Sequence, residues 1–194
     1  MKFDLTKKQT LGVQRTLSTF SKVMFELIEK KPFEKINVRE ICTLCNIPRA
    51  TFYNYFDDKF DLLKYCWYLI SQTSEILHTP QITDETMLIS YFDDAYDFFI
   101  AHKQEVDNVL VHNSLNSQLG DSFVNYFSNI IQNVVYKSLP NLKGSIPLEL
   151  IAEQYSTLVF NIFKWVFLEQ HPTSKKQVHH YLLSFINFDP NTLK

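Results

Sequence analysis

The sequence predicts an all-α protein. Apolar residues recur at spacings of three and four through most of the chain, which is the period of amphipathic helices. Only 3 of the 194 residues are glycine, and 45% are hydrophobic. A chain of this length buries on the order of 70% of its unfolded surface, so it can support one or two modest domains.

The first helix is predicted from about Thr10 to Lys31, where Pro32 ends it. Residues 37–45 then predict a short second helix with one apolar stripe, formed by Val38, Ile41, Cys42 and Cys45. Asn37 is a favourable N-cap, and Glu40 is placed to complete a capping box. After this helix, Asn46 tolerates the left-handed conformation that a tight turn requires.

A third short helix follows, with Pro48 suited to its first turn. At about 100° per residue, Phe52 and Phe56 share one side and face the core. The opposite side presents a polar surface without a carboxylate before Asp57: Ala50 and Asn54 lie at its centre, Arg49 and Tyr53 on one edge, and Thr51 and Tyr55 on the other. Such a surface fits a DNA major groove, with its centre at base edges and its edges at phosphates. The predicted DNA-contacting residues are Asn37, Arg49, Ala50, Thr51, Tyr53, Asn54, Tyr55 and Lys59.

The stretch PFEKINVREIC, continued by IPRATFYNYFDDKFDLL, resembles the helix-turn-helix of the TetR/AcrR family of bacterial transcriptional regulators. The resemblance covers about residues 10–70. It departs from the family pattern at Asn46, usually a glycine, and at Pro48, usually a serine N-cap. It implies a three-helix helix-turn-helix DNA-binding domain at residues 10–70 and a helical effector-binding and dimerisation domain at residues 71–194.

The remaining sequence predicts further helices separated by loops at residues 78–83 and 140–147. The helices are expected at about 58–77, 84–103, 106–115, from 120–121 onward, and as a terminal pair around 151–166 and 178–185. In the helix at 84–103, Asp93, Asp94 and Asp97 are expected to form a solvated acidic face. Ser174 and Gln177 predict a capping box before the last helix.

The terminal helix pair carries more large apolar groups than a small body readily covers. In TetR-like proteins the corresponding helices pack against their twofold mates as a four-helix bundle, so the resemblance implies a homodimer. The predicted interface residues are Ile151, Tyr155, Leu158, Val159, Ile162, Val166, Val178, Leu182 and Phe185.

Residues 84–166 carry an excess of aromatic side chains, and ligand pockets are often aromatic with a few polar groups. An apolar or aromatic effector is therefore expected among the middle helices, reported to the DNA-binding part through the helix at 58–77. The predicted effector-binding residues are Tyr91, Phe92, Tyr96, Phe99, His102, Phe123, Tyr126, Phe127, Tyr155 and Phe163.

Charge is distributed unevenly. Residues 1–70 hold 12 Lys and Arg against 8 Asp and Glu, a net charge of +4, whereas the remainder holds 7 against 13, a net charge of −6. A basic N-terminal part fits phosphate binding at one end, although chance scatter of charge is an alternative. No run approaches the ~20 apolar residues of a membrane span, and no signal-peptide pattern is present, so a cytoplasmic protein is expected.

Alternative chemistries have little support. The Cys42-x-x-Cys45 spacing could indicate metal or redox chemistry, but both thiols belong to the apolar stripe and no second pair follows. Phosphate-binding glycine loops and nucleophile elbows are absent from the sequence, so neither a cofactor nor enzymatic activity is expected. The sequence therefore predicts a ligand-responsive, dimeric regulator of a palindromic operator, most simply a repressor. The alternative is an activator or protein-interaction subunit of the same fold without a small-molecule effector.

Overall fold

A computed structural model describes residues 9–72, 85–138 and 146–186, and regular structure within these ranges is entirely helical. The α-helices are α1 (Leu11–Ile28), α2 (Val38–Cys45), α3 (Arg49–Tyr55), α4 (Lys59–Ser71), α5 (Glu85–Ala101), α6 (Lys103–His112), α7 (Gln118–Ser138), α8 (Leu148–Phe163) and α9 (Lys175–Ile186). A 3₁₀ turn spans Phe33–Lys35, and a π-helical turn, Lys164–Leu168, extends α8. The predicted all-α class is confirmed.

Helix bounds differ from the predicted ones where local hydrogen bonds intervene. Helix α1 ends at Ile28 instead of Lys31, because the amides of Lys30 and Lys31 both donate to the Leu27 carbonyl and form a turn. Helix α6 begins at Lys103, earlier than expected. The predicted loop at 78–83, the end of the predicted 58–77 helix and most of the loop at 140–147 lie outside the described residues.

Helix α7 begins two residues before Gly120, earlier than the sequence predicts. The sequence predicts a helix start at Gly120 and Asp121, but the helix already begins at Gln118, and the Ser117 hydroxyl accepts from the Gly120 amide at 3.2 Å. A Cβ at Gly120 would lie 2.2 Å from the Leu115 carbonyl oxygen. The glycine is therefore required by a close backbone approach inside the first turn.

The described residues form two compact units. One falls within 1–73 and 103–123 and the other within 74–102 and 124–194, so the division occurs inside α7. The sequence placed the domain boundary near residue 70 and assigned everything after it to one domain. The structure groups residues 103–123 with the N-terminal helices: the Asn113 side chain bonds to the end of α1 and to the 3₁₀ turn, and the Gln118 amide donates to the Glu34 side chain.

The core of the N-terminal unit is built on phenylalanine. Phe20 of α1 meets Phe52 and Phe56 edge to face, with ring centroids 5.3 and 6.2 Å apart. Helix α1 packs against α2 and α4, and α2 packs against α3. The other fully buried side chains of this core include Leu17, Met24, Phe33, Ile36, Ile41, Leu62 and Leu63. These contacts fix α3 by its apolar side.

The second unit packs α9 against α5 and α8. The acidic residues of α5 are not all solvated as expected. The His179 Nε2 lies 2.6 Å from Asp93 Oδ1, and the Lys175 Nζ lies 2.6 Å from Asp97 Oδ1. The predicted capping box is present, since the Gln177 side chain accepts from the Ser174 amide at 2.9 Å and the Ser174 hydroxyl accepts from the Gln177 amide at 3.3 Å.

In the described part of the chain, none of the helices has both the length and the apolar character needed to cross a membrane.

Candidate nucleic-acid interface

Helix α2 begins as the sequence predicts, with one difference. The Asn37 side chain accepts a hydrogen bond from the Glu40 amide at 3.0 Å, so it caps the helix. The Glu40 carboxylate, expected to reach back to Asn37, instead binds the Lys31 ammonium. The Lys31 ammonium therefore binds the carboxylate that a capping box would use. This ion pair links α2 to the residues after α1.

The turn between α2 and α3 depends on Asn46. Its backbone is left-handed, with φ 53° and ψ 41°. The Asn46 amide donates to the Thr43 carbonyl at 3.2 Å, and the Ile47 amide donates to the Cys42 carbonyl at 3.0 Å. This hydrogen-bond pair is a Schellman motif, usually completed by glycine. Asparagine fulfils the same role, as the sequence predicted, and Pro48 then stands immediately before the first residue of α3.

The apolar side of α3 is fixed within the N-terminal unit. Phe52 and Phe56 are both completely buried, and their ring centroids lie 5.4 Å apart. Phe56 also contacts Tyr65 of α4, with centroids 5.9 Å apart. A seven-residue helix has little stability of its own, so these aromatic contacts are what hold α3 in place.

The opposite side of α3 carries the polar surface that the sequence predicted. Arg49, Ala50, Tyr53 and Asn54 are exposed, and Thr51 and Tyr55 are half-buried at its edge. The Arg49 guanidinium donates to the Tyr53 hydroxyl at 3.3 Å and lies 5.8 Å from the centre of the Tyr53 ring. This pair extends the guanidinium along the helix surface. We call the side chains Arg49, Ala50, Tyr53 and Asn54 the α3 surface.

Lys59 does not lie on that surface as a free cation. Its ammonium donates to the carbonyl oxygens of Phe33, Glu34 and Ile36 at 2.8, 3.1 and 2.9 Å, which accounts for all three N–H groups. The ammonium also lies 4.5 Å from the centre of the Phe33 ring. Burial lowers the pKa of Lys59. Contact between Lys59 and a phosphate stays a prediction, but the geometry assigns its hydrogen bonds to the 3₁₀ turn.

The predicted effector-binding residues fall into separate groups. Phe92, Tyr96, Phe99 and Phe163 lie together in the second unit with Phe167, which the sequence reading missed. Phe99 and Phe163 centroids are 4.4 Å apart, so these two rings pack on each other without space for a ligand between them.

The other members of that prediction lie elsewhere. Phe123 belongs to the N-terminal unit and packs edge to face on Trp67, with centroids 5.5 Å apart. His102 is exposed and stacks near Phe98. Tyr126 and Phe127 contact each other on α7, and Tyr155 is half-buried. The side chain of Tyr91 lies outside the described part of the chain. An effector site formed by these residues stays a prediction.

The predicted dimer interface stays a prediction, but most of its members are buried within the single chain. Five of its members are at most 8% exposed: Val159, Ile162, Val166, Val178 and Leu182. Ile151, Tyr155 and Leu158 are half-buried, and only Phe185, at 60%, is well exposed. Periodicity identified the strongest apolar stripe of each helix, and most of that stripe is buried in the unit in which α9 packs against α5 and α8.

The cysteines are not arranged for reactivity. Cys42 is buried and Cys45 half-buried, so the expectation of two buried core cysteines holds for the first and only partly for the second. Burial raises the pKa of both thiols, that of Cys45 to about 11. Among the described residues, no three His, Cys, Asp or Glu side chains are grouped to hold a metal ion.

These features define a helix-turn-helix protein: two short helices joined by a tight turn, with the second anchored by its apolar side and exposing donors on the other. Residues 23–66 match the family model of bacterial regulatory proteins of the tetR family. The matched segment contains α2, α3 and most of α4. This segment of the chain is therefore similar to the helix-turn-helix of TetR-family transcriptional regulators.

Solved structures share the fold across nearly the whole chain. A protein described as a TetR-family transcriptional regulator from Syntrophomonas wolfei str. Goettingen is 21% identical, with a TM-score of 0.59 over 90% of this chain and 94% of that one. A protein described as a transcriptional regulator from Pseudomonas aeruginosa PAO1 is 13% identical, with a TM-score of 0.57 over 92% of this chain and 91% of that one. The dihydroxyacetone kinase operon activator DhaS is 16% identical, with a TM-score of 0.56 over 89% and 96%. No curated protein matches the sequence.

Proposed function

We propose that this regulator is a homodimer that reads a palindromic operator through α3 and acts as a repressor released by a small apolar or aromatic effector. The observation that carries the proposal is the α3 surface. It combines an amide, a guanidinium, a phenol and one small residue on a helix whose other side is completely buried. Asn54 and Ala50 suit base edges, because an asparagine amide pairs with adenine and an alanine methyl contacts thymine.

Dimerisation follows from the limited reach of one such helix. A single helix-turn-helix makes few base contacts, so useful specificity needs two half-sites held by a symmetric pair. The exposed apolar side chains of the terminal segment support this proposal better than the buried stripe does. They are Leu150, Trp165, Leu183 and Phe185, with exposures between 37% and 60%. We assign the dimer contact to these residues.

The effector proposal rests on composition more than on geometry. The aromatic group of α5 and α8 in the second unit contains a phenol, and the Tyr96 hydroxyl donates to the Thr173 carbonyl at 3.0 Å. An apolar ligand would have to separate rings that are now in contact, so binding would require a rearranged state of this unit. Linkage requires that operator DNA weaken effector binding by the same factor that effector weakens operator binding.

A second function is activation. One of the structures that share this fold is described as an operon activator, so the fold accommodates that role as well. A reporter gene behind the selected operator separates the two. Deletion of the regulator raises transcription if the chain is a repressor and lowers it if the chain is an activator.

The DNA-reading role is tested by selecting fragments from a random double-stranded library with purified protein and sequencing them. A palindromic consensus is expected. Asn54→Ala should then change the preferred base pair, losing about 1–3 kcal/mol of discrimination at that position. Arg49→Ala should weaken binding more than it changes preference if Arg49 contacts phosphate. Equal binding of wild type and both variants would contradict the assignment of α3.

The dimer is tested by sedimentation at micromolar concentration. The double variant Leu183→Glu, Phe185→Glu changes two exposed side chains. Its chain should therefore fold but dissociate into monomers. Leu11→Glu is the matched control, because Leu11 is 72% exposed in the N-terminal unit. A monomeric wild type would contradict the proposal, and a double variant that remains dimeric would contradict the assigned surface.

A further inference from the structure

Asn113 is a buried polar side chain in the N-terminal unit, directly after α6. It is 3% exposed. Its Oδ1 accepts from the Phe33 amide at 2.8 Å, and its Nδ2 donates to the Ile28 carbonyl at 2.9 Å and to the Val109 carbonyl at 3.2 Å. One acceptor and two donors are thus matched by partners, as a buried amide requires. Asn113 joins the end of α6 to the end of α1 and to the 3₁₀ turn.

The same turn is held from its other side by Lys59. Asn113 binds the amide of Phe33, and the Lys59 ammonium binds the carbonyls of Phe33, Glu34 and Ile36. A further bond comes from α7, where the Gln118 amide donates to the Glu34 carboxylate at 2.8 Å. The turn is therefore fixed between residues 103–123 and the first residue of α4.

Only three residues, Phe56–Asp58, separate that first residue of α4 from α3. They are themselves fixed. The Phe56 ring is completely buried, the Asp58 carboxylate caps α4 by accepting from the Phe60 amide at 2.8 Å, and the Asp57 amide donates to the Asp61 carboxylate at 3.1 Å. A displacement of Lys59 therefore reaches α3 through a short linker that cannot absorb it locally.

We propose that Asn113 is a positioning residue for DNA recognition, which sets the orientation of α3 through the 3₁₀ turn and Lys59 without touching DNA. The inference rests on the proposed reading of DNA by α3. It gives residues 103–123, which lie outside the segment that matches the family model, a share in operator affinity.

The test compares variants on an operator fragment that wild-type protein has selected from a random library. Asn113→Ala should weaken operator binding about two- to thirtyfold, the usual range for residues that couple without contact. Base-pair preference should stay as in wild type, because Asn113 meets no base. Affinity is measured by fluorescence anisotropy well below the unfolding midpoint, so that every variant is folded.

Two further changes separate positioning from stability. Glu34→Ala removes the contact between α7 and the turn from an exposed position and should weaken binding in the same direction, whereas Glu34→Gln keeps an acceptor for the Gln118 amide and should restore it. Asn108→Ala is the matched control. Asn108 also joins α6 to α1, through a 3.2 Å bond to Glu29, but does not bond to the turn.

An Asn113→Ala protein that unfolds at lower temperature yet binds the operator as wild type does would overturn the inference. If that variant does not fold, wild-type affinity in Glu34→Ala overturns it instead. A wild type that selects no DNA sequence would overturn the proposed function together with this inference. Normal selection by wild type with unaffected variants would overturn the inference alone.

Discussion

Helix α3 and the terminal helices α8 and α9 are all amphipathic, yet the side chains that the sequence predicts to be available for contact are exposed on α3 and mostly buried on α8 and α9. Helix α3 has one apolar side, formed by Phe52 and Phe56, and the opposite side carries polar residues around the small Ala50. Helices α8 and α9 have apolar residues on more than one side, so the pattern alone left two choices of inward face. The comparison shows that periodicity assigns a face reliably only when a single face is apolar.

The largest expected effect concerns the inward face of α9. Val178→Asp should destabilise the chain by about 4 kcal/mol or more, because Val178 is completely buried and a carboxylate there has no partner. Urea unfolding at two protein concentrations measures the change, which should be the same at both. Leu183→Asp changes a position on the same helix that is 37% exposed. It should lower the free energy of unfolding only by the contribution of dimerisation, which depends on protein concentration. A similar loss of unfolding free energy in both variants would mean that α9 does not have one buried and one exposed face.

Substitution of Lys59, the first residue of α4, tests which groups its ammonium binds. Lys59→Met should cost about 1.5–3 kcal/mol of unfolding free energy, because three carbonyl groups lose a charged donor. Lys64→Met, further along α4 and largely exposed, should cost about 0.5 kcal/mol or less. A Lys59 variant of normal stability, whose only defect is a salt dependence of DNA binding shallower by about one, would instead identify a phosphate contact.

A smaller effect is expected at the turn that presents α3. Asn46→Ala should cost about 1 kcal/mol, since a residue with a Cβ and no local hydrogen bond is disfavoured in the left-handed region that Asn46 adopts. Asn46→Gly should be at least as stable as wild type, because glycine has no such penalty. Thermal unfolding distinguishes them. An alanine variant as stable as the glycine variant would show that the turn is not set by this residue.

The last prediction needs no substitution and concerns the reactivity of the Cys45 thiol in α2. A pKa of about 11 means that Cys45 is almost wholly protonated at pH 8, so its thiolate fraction should be lower than that of an ordinary thiol by about a hundredfold. Alkylation by iodoacetamide, followed by mass spectrometry, should rise steeply as pH approaches 11. The urea-unfolded chain is the control. Labelling of native Cys45 at pH 8 as fast as in that control would restore a redox interpretation of the Cys-x-x-Cys spacing.

Tertiary contacts explain the features that the sequence reading missed. Asn113 sits in the run VHNSLNS, which carries turn residues and no signal of burial. Its partners, Phe33 and Ile28, are about eighty residues away in the chain, so no local pattern could indicate them. Lys59 was placed near DNA because it follows α3 in sequence. Its actual direction depends on the carbonyls of a turn more than twenty residues earlier.

The sequence by itself determined the all-α class, the helix-turn-helix with its left-handed Asn46, the polar side of α3 and the capping box before α9. These features depend on interactions between residues one helical turn apart, so a local pattern contains them. The tertiary structure alone decided which face of α8 and α9 is interior, that residues 103–123 join the N-terminal unit, and that Lys59 and Asn113 hold the same turn. Those outcomes depend on burial against distant segments, whose arrangement is set by packing of the whole unit and not by the pattern of any single helix.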